Sequence, residues 1–147
     1  MALSQARAVL TALLDQAIFS SLYRTAPQID LDQEPFWNAA AAGGWGGTPE
    51  TLLERLLILE GTQGRVRDLL RPKGPRVLDL DLLVFGELVR SGPRLSVPHP
   101  GLVLRLFALA PLAELFPVAA DPRDGVSWAD KARAVRDQGV DRTDRTW

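Results

Sequence analysis

The chain has 147 residues, a net charge of −1, one histidine and no cysteine. Disulfides, thiolate metal sites and multi-histidine zinc sites are thereby excluded, and oxygen-ligated magnesium, manganese or calcium is left as the available metal chemistry. The charge balance does not suit a general polyanion binder. No apolar run is long enough to span a membrane, and the N-terminus lacks the pattern of a signal peptide, so the cytoplasm is the expected location. The length suits one domain, 1–147, with a polar tail, 139–147, expected to be loose.

In chain order, Leu3, Ala6, Leu10, Leu13, Leu14 and Ala17 recur at three- and four-residue spacing. They predict an amphipathic helix over Leu3–Gln16. Ala17–Arg24 and Phe36–Ala42 read as strands, separated by a polar loop with two prolines. The second strand runs into Gly43-Gly44-Trp45-Gly46-Gly47. Thr48-Pro49-Glu50 is a helix start: a cap, a proline at the first position and an acid in the first turn. That helix is expected to run to Gly61 with Leu52, Leu53, Leu56 and Leu59 inward. Gln63–Arg76, with four arginines, two glycines and two prolines, is expected to be irregular. Val77–Phe85 alternates as a strand, and Leu88–Arg90 and Arg94–Val97 flank Ser91-Gly92-Pro93 as a hairpin-like excursion. A helix over Leu102–Leu115, interrupted at Pro111, and a short one over Ser127–Asp137 complete the series. Short strands alternating irregularly with helices predict an antiparallel α+β architecture.

The acidic strand carries the chemistry. Alternation sends Leu78, Leu80, Leu82 and Val84 to one face and Asp79 and Asp81 to the other. Two carboxylates about 7 Å apart along a strand repel each other, and divalent ions relieve that repulsion. An isolated Asp-Leu-Asp would more often be a solvated strand face, but its neighbours argue otherwise. Arg65, Arg67 and Arg76 lie in the glycine- and proline-punctuated loop before it, and Arg94, Ser96, His99 and Arg105 follow it. Cations around a metal-binding acid pair suit a polyphosphate. Phe36 and Asn38 share a strand face, and a ring beside an amide suits a flat polar heterocycle, although core packing gives the same pattern.

Together, Gly74-Pro75-Arg76, Leu78-Asp79-Leu80-Asp81, Phe85-Gly86, Leu95-Ser96-Val97-Pro98-His99 and Arg105-Leu106-Phe107 resemble the 6-hydroxymethyl-7,8-dihydropterin pyrophosphokinases of folate synthesis. Upstream, Ser21-Leu22-Tyr23-Arg24-Thr25, Phe36-Trp37-Asn38 and Glu60–Arg67 also fit. The resemblance implies a ferredoxin-like α+β fold and transfer of pyrophosphate from ATP to the pterin hydroxymethyl group, releasing AMP. It implies that Asp79 and Asp81 hold two Mg2+ ions, with Arg65 and Arg76 stabilising charge during transfer. Arg67, Glu60, Arg94, Ser96, His99 and Arg105 would contact ATP, and Thr25, Phe36, Asn38 and Phe107 the pterin. A monomer acting on these small molecules, without nucleic-acid or membrane partners, is expected. The family opens with a strand and a Gly-Ser-Asn-Leu-Gly turn, whereas this sequence opens at the following helix. A longer natural chain is therefore expected. The competing readings are a non-catalytic ferredoxin-like nucleotide- or RNA-binding module and an inactive truncated remnant.

Overall fold

The computed structural model describes residues 2–26, 34–63 and 78–147. Its elements are α1 (Ala2–Leu13), β1 (Asp15–Phe19), β2 (Tyr23–Thr25), β3 (Phe36–Asn38), β4 (Ala41–Gly44), α2 (Pro49–Thr62), a 3-10 turn (Leu102–Leu104), α3 (Leu106–Leu115), α4 (Trp128–Ala134) and β5 (Val140–Arg142). All strand pairs are antiparallel: β1 with β4, and β3–β2–β5 in a second sheet. Helices pack against them, which is the expected α+β class and is consistent with a ferredoxin-like arrangement.

The two expected strands Ala17–Arg24 and Phe36–Ala42 are each split. Phe19 pairs with Ala41 but Tyr23 with Asn38, so one extra residue is taken up on the first strand. Ser20 lies in this bulge. Its N–H donates to the Ala40 carbonyl at 2.9 Å, and its Oγ accepts the Ala40 N–H at 2.8 Å. The side chain thus replaces the lost ladder bond, as a bulge requires. A second register shift falls between Asp15 and Ile18, where Gln16 adopts φ 49°. That turn also ends α1 at Leu13 rather than Gln16. Gly43 faces it so closely that an added Cβ would lie 2.7 Å from Leu14 Cβ, which explains the glycine better than a free turn does.

The α2 start is as expected: Thr48 Oγ1 accepts the Thr51 N–H at 3.2 Å, followed by Pro49. Leu52, Leu56 and Leu59 are buried, while Leu53 is only half-buried. They join Ala6 and Leu10 of α1, Leu22, Leu78 and Trp147 in one apolar cluster. A second cluster unites Leu102, Leu109, Leu112 and Trp128. Pro111 does not interrupt its helix. It is fully buried inside α3, and the break falls at Arg105, whose extended backbone (φ −125°, ψ 98°) separates the 3-10 turn from α3. The short last helix, expected over Ser127–Asp137, spans Trp128–Ala134, capped by Ser127 Oγ on the Asp130 N–H.

The expected strand Val77–Phe85 is corrected: residues 78–85 have no strand hydrogen bonding, and Val77 lies outside the described residues. A strand needs a ladder partner. This segment is held otherwise, by Leu80 N–H on the Glu60 carboxylate and by Leu83 C=O on the His99 N–H. The hairpin-like excursion is present and closes through reciprocal bonds between Arg90 and Val97, at 2.8 and 2.9 Å.

The tail is also corrected. Instead of hanging loose, Val140–Arg142 pairs with β2, and Trp147 is 9% exposed, its indole N–H donating to the Ser20 carbonyl at 2.9 Å. Burying an indole outweighs the polarity of the residues leading to it.

Asp121, fully buried, accepts bonds from Arg123 Nε and Nη2 and from Lys131 Nζ (2.8 Å). The Arg123 bonds first, then Lys131, hold its carboxyl well below the usual range despite burial. A depressed folded-state value gives stability that is complete above the unfolded value near pH 4 and is lost as pH falls toward the folded one. Asp121→Asn is expected to lower stability at pH 7 by about 2–3 kcal/mol, because two cations lose a buried partner but can reach water. Thermal unfolding from pH 7 to 2 should show a shallower acid-induced loss in the variant; an unchanged slope would show that Asp121 is not the group responsible.

Candidate active site

Asp79 and Asp81 are both exposed, with half-buried Leu80 between them, buried Leu78 before them and half-buried Leu82 after them. The expected alternation therefore holds through Leu82 without a ladder. Leu80, Leu82 and Phe85 pack on the first apolar cluster, and Leu83 and Val84 on the second. The acidic segment is thus clamped between two cores, which fixes its carboxylates at the surface.

Two flanking elements converge on it. On one side, Glu60, buried in the last turn of α2, accepts the Leu80 N–H at 2.6 Å. On the other, the His99 N–H donates to the Leu83 carbonyl at 2.7 Å, placing the histidine segment alongside. His99 Nδ1 accepts the Gly101 N–H at 3.1 Å. This assigns the ring proton to Nε2 and makes that nitrogen a donor suited to a phosphate oxygen. Gly101 lies against Arg105: an added Cβ would be 2.9 Å from the guanidinium carbon, which also sits 5.9 Å from the Phe107 ring centre. His99, Arg105 and Phe107 are therefore one local group, and Gly101, which sequence reasoning missed, makes room for it. Its signal was a glycine between the histidine and the arginine.

Arg94 is exposed, and Ser96 is half-buried with Oγ 3.4 Å from both the Gly92 N and O. Arg65, Arg67 and Arg76 lie outside the described residues.

On the β2–β3 pair, Thr25 opposes Phe36 and Tyr23 opposes Asn38, so these four share a face. Asn38 Nδ2 donates to Thr25 Oγ1 at 3.0 Å, and Phe36 is 59% exposed. Helix α3, with Phe107 in its first turn, packs on β2 and β3. Its other end is fixed by Glu114, missed in the sequence although it is the one acid in an otherwise apolar helix. Glu114 accepts bonds from the Ser21 N–H and Oγ, from Tyr23 Oη at 2.8 Å and from Arg142 at 3.1 Å. Burial raises its carboxyl, but these donors together hold it below the ordinary value. Burial first, then the bond to Glu114, raises the Tyr23 hydroxyl, which stays a donor.

Among the described residues no group of three or more His, Asp or Glu side chains could enclose a metal alone. Two exposed carboxylates fit Mg2+ nonetheless, since that ion commonly binds through one or two carboxylates and completes its shell with water and substrate phosphates.

An α+β scaffold with an exposed acid pair on a segment bonded to the histidine segment has the ingredients that phosphoryl-transfer enzymes use. Residues 1–117 match the family model for 7,8-dihydro-6-hydroxymethylpterin-pyrophosphokinase, and the chain belongs to that family. It is 43% identical to the 2-amino-4-hydroxy-6-hydroxymethyldihydropteridine pyrophosphokinase of Pseudomonas aeruginosa, over 84% of this chain and 74% of that protein. Identity to the Methylorubrum extorquens enzyme of the same name is 46%, over 67% of this chain and 61% of that protein. For the Bacillus subtilis enzyme it is 42%, over 65% and 56%. The aligned part thus spans roughly half to three quarters of these relatives. The homology supports an ATP-dependent pyrophosphokinase of folate biosynthesis that binds ATP and a pterin, and family membership implies Mg2+ dependence.

Proposed function

We propose that this chain carries out the family reaction at the site described. The pterin hydroxymethyl oxygen attacks the β-phosphorus of ATP, and the bond from that phosphorus to the oxygen bridging to the α-phosphate breaks. AMP leaves and the hydroxyl proton passes to solvent. Asp79 and Asp81 hold two Mg2+ ions, which supply charge neutralisation to the triphosphate. Arg65 and Arg76 stabilise the charge that develops on transfer, and Arg67, Arg94, Ser96, His99 and Arg105 bind the nucleotide, with Glu60 beside them. Thr25, Phe36, Asn38 and Phe107 hold the pterin. Positioning and charge stabilisation carry most of such a transfer, so a strong general base is not required. The observation that carries the reading is the exposed Asp79/Asp81 pair clamped between the Glu60 and His99 segments. The reading takes the chain as one domain, acting as a cytoplasmic monomer on small molecules without nucleic-acid or membrane partners. Among the described residues no helix is long and apolar enough to cross a membrane.

The test is AMP release from Mg-ATP with and without hydroxymethyldihydropterin. Release that ignores the pterin would overturn the reading. Asn38→Ala is expected to raise the pterin KM about tenfold, the equivalent of one hydrogen bond, and leave Mg-ATP affinity unchanged. An unaltered pterin KM would remove the β2–β3 face from the pterin site.

A further inference from the structure

The Glu60 carboxylate is 6% exposed and lies in the last turn of α2. Its Oε1 is spent on a backbone group 20 positions away, the Leu80 N–H at 2.6 Å. Leu80 stands between Asp79 and Asp81. The segment that receives the bond has no strand ladder to fix its backbone.

We infer that Glu60 is a positioning residue for the acid pair: its bond to Leu80 N–H sets the backbone from which Asp79 and Asp81 project, and so sets metal–nucleotide affinity. The inference rests on the proposed metal role of those two aspartates.

Reach and charge can be separated. Glu60→Gln keeps an acceptor oxygen at the same distance but removes the charge. Glu60→Asp keeps the charge but draws it back by one methylene, out of range of Leu80. The measurements are Mn2+ binding by electron paramagnetic resonance in the presence of a non-hydrolysable ATP analogue, and hydrogen exchange at the Leu80 amide. Glu60→Asp is expected to weaken Mn2+–nucleotide binding at least tenfold and to speed Leu80 exchange at least tenfold. Glu60→Gln should stay within about threefold of the native chain in both. A stronger effect of Gln than of Asp would overturn the inference and make the charge itself the functional feature. Asp81→Ala is the control. Binding that is lost with Asp81→Ala but indifferent to both Glu60 variants overturns the inference alone. Binding indifferent to Asp81→Ala overturns the metal reading and the role of Glu60 with it.

Discussion

Asp81→Ala is expected to lower pterin-dependent AMP formation by about 10²- to 10³-fold, the usual consequence of removing one preorganised charge-stabilising contact. The fold should survive, because Asp81 is exposed and its neighbours Leu80 and Leu82 keep their apolar contacts. An unchanged melting temperature together with lost turnover would therefore locate the defect in chemistry. The magnesium dependence separates two possibilities. If Asp81 is a ligand, turnover by the variant should rise further with Mg2+ concentration than that of the native chain does. Full turnover at ordinary magnesium would take Asp81 out of the site. Asp79→Ala is expected to behave alike, and the two substitutions together should cost less than the product of their separate effects, since they act as one unit.

Trp147→Ala is expected to destabilise the chain by about 3–5 kcal/mol, the range for deleting a buried aromatic side chain. Trp147 is edge-on to Phe19, with ring centres 5.2 Å apart, and belongs to the same cluster as Ala6, Leu10, Leu22, Leu52 and Leu56. Its indole N–H also satisfies the Ser20 carbonyl beside the strand bulge. A loss of that size is a large fraction of the 5–15 kcal/mol typical of a domain. Trp147→Phe should recover most of the apolar contact and leave a deficit of about 1 kcal/mol from the missing donor. Denaturant unfolding measures both. A cost below about 1 kcal/mol for Trp147→Ala would mean that the C-terminus is not docked on the α1–α2 cluster.

The contrast between these two residues shows what could be read in advance. Asp81 announced itself through strict alternation with leucines and through the arginines and histidine nearby in sequence. Trp147 sat at the end of a polar run, and nothing local marked it as core. The same holds elsewhere. The α2 start was legible because Thr48-Pro49-Glu50 acts through bonds within a single turn. The split of the first two strands was not, because the bulge at Ser20 is defined only by which residue of the partner strand lies opposite. Glu114 carries no local signal of its partners, and its role emerges from Ser21, Tyr23 and Arg142 meeting it from elsewhere in the fold. Pro111 reads as a helix break on local grounds, but in the fold it lies buried within a continuous α3.

By itself, then, the sequence determined the α+β class, the capped helix, the paired carboxylates and the chemistry they suit, because periodicity, capping and charge pattern act over a few neighbouring residues. Tertiary structure alone decided how the acidic segment is held, by Glu60 from one side and His99 from the other, and where the tail and Glu114 dock. Those outcomes depend on contacts between residues 16 or more positions apart, such as Leu83 with His99, Leu80 with Glu60 and Ser21 with Glu114. Burial and hydrogen-bond satisfaction select such contacts only once the chain is folded.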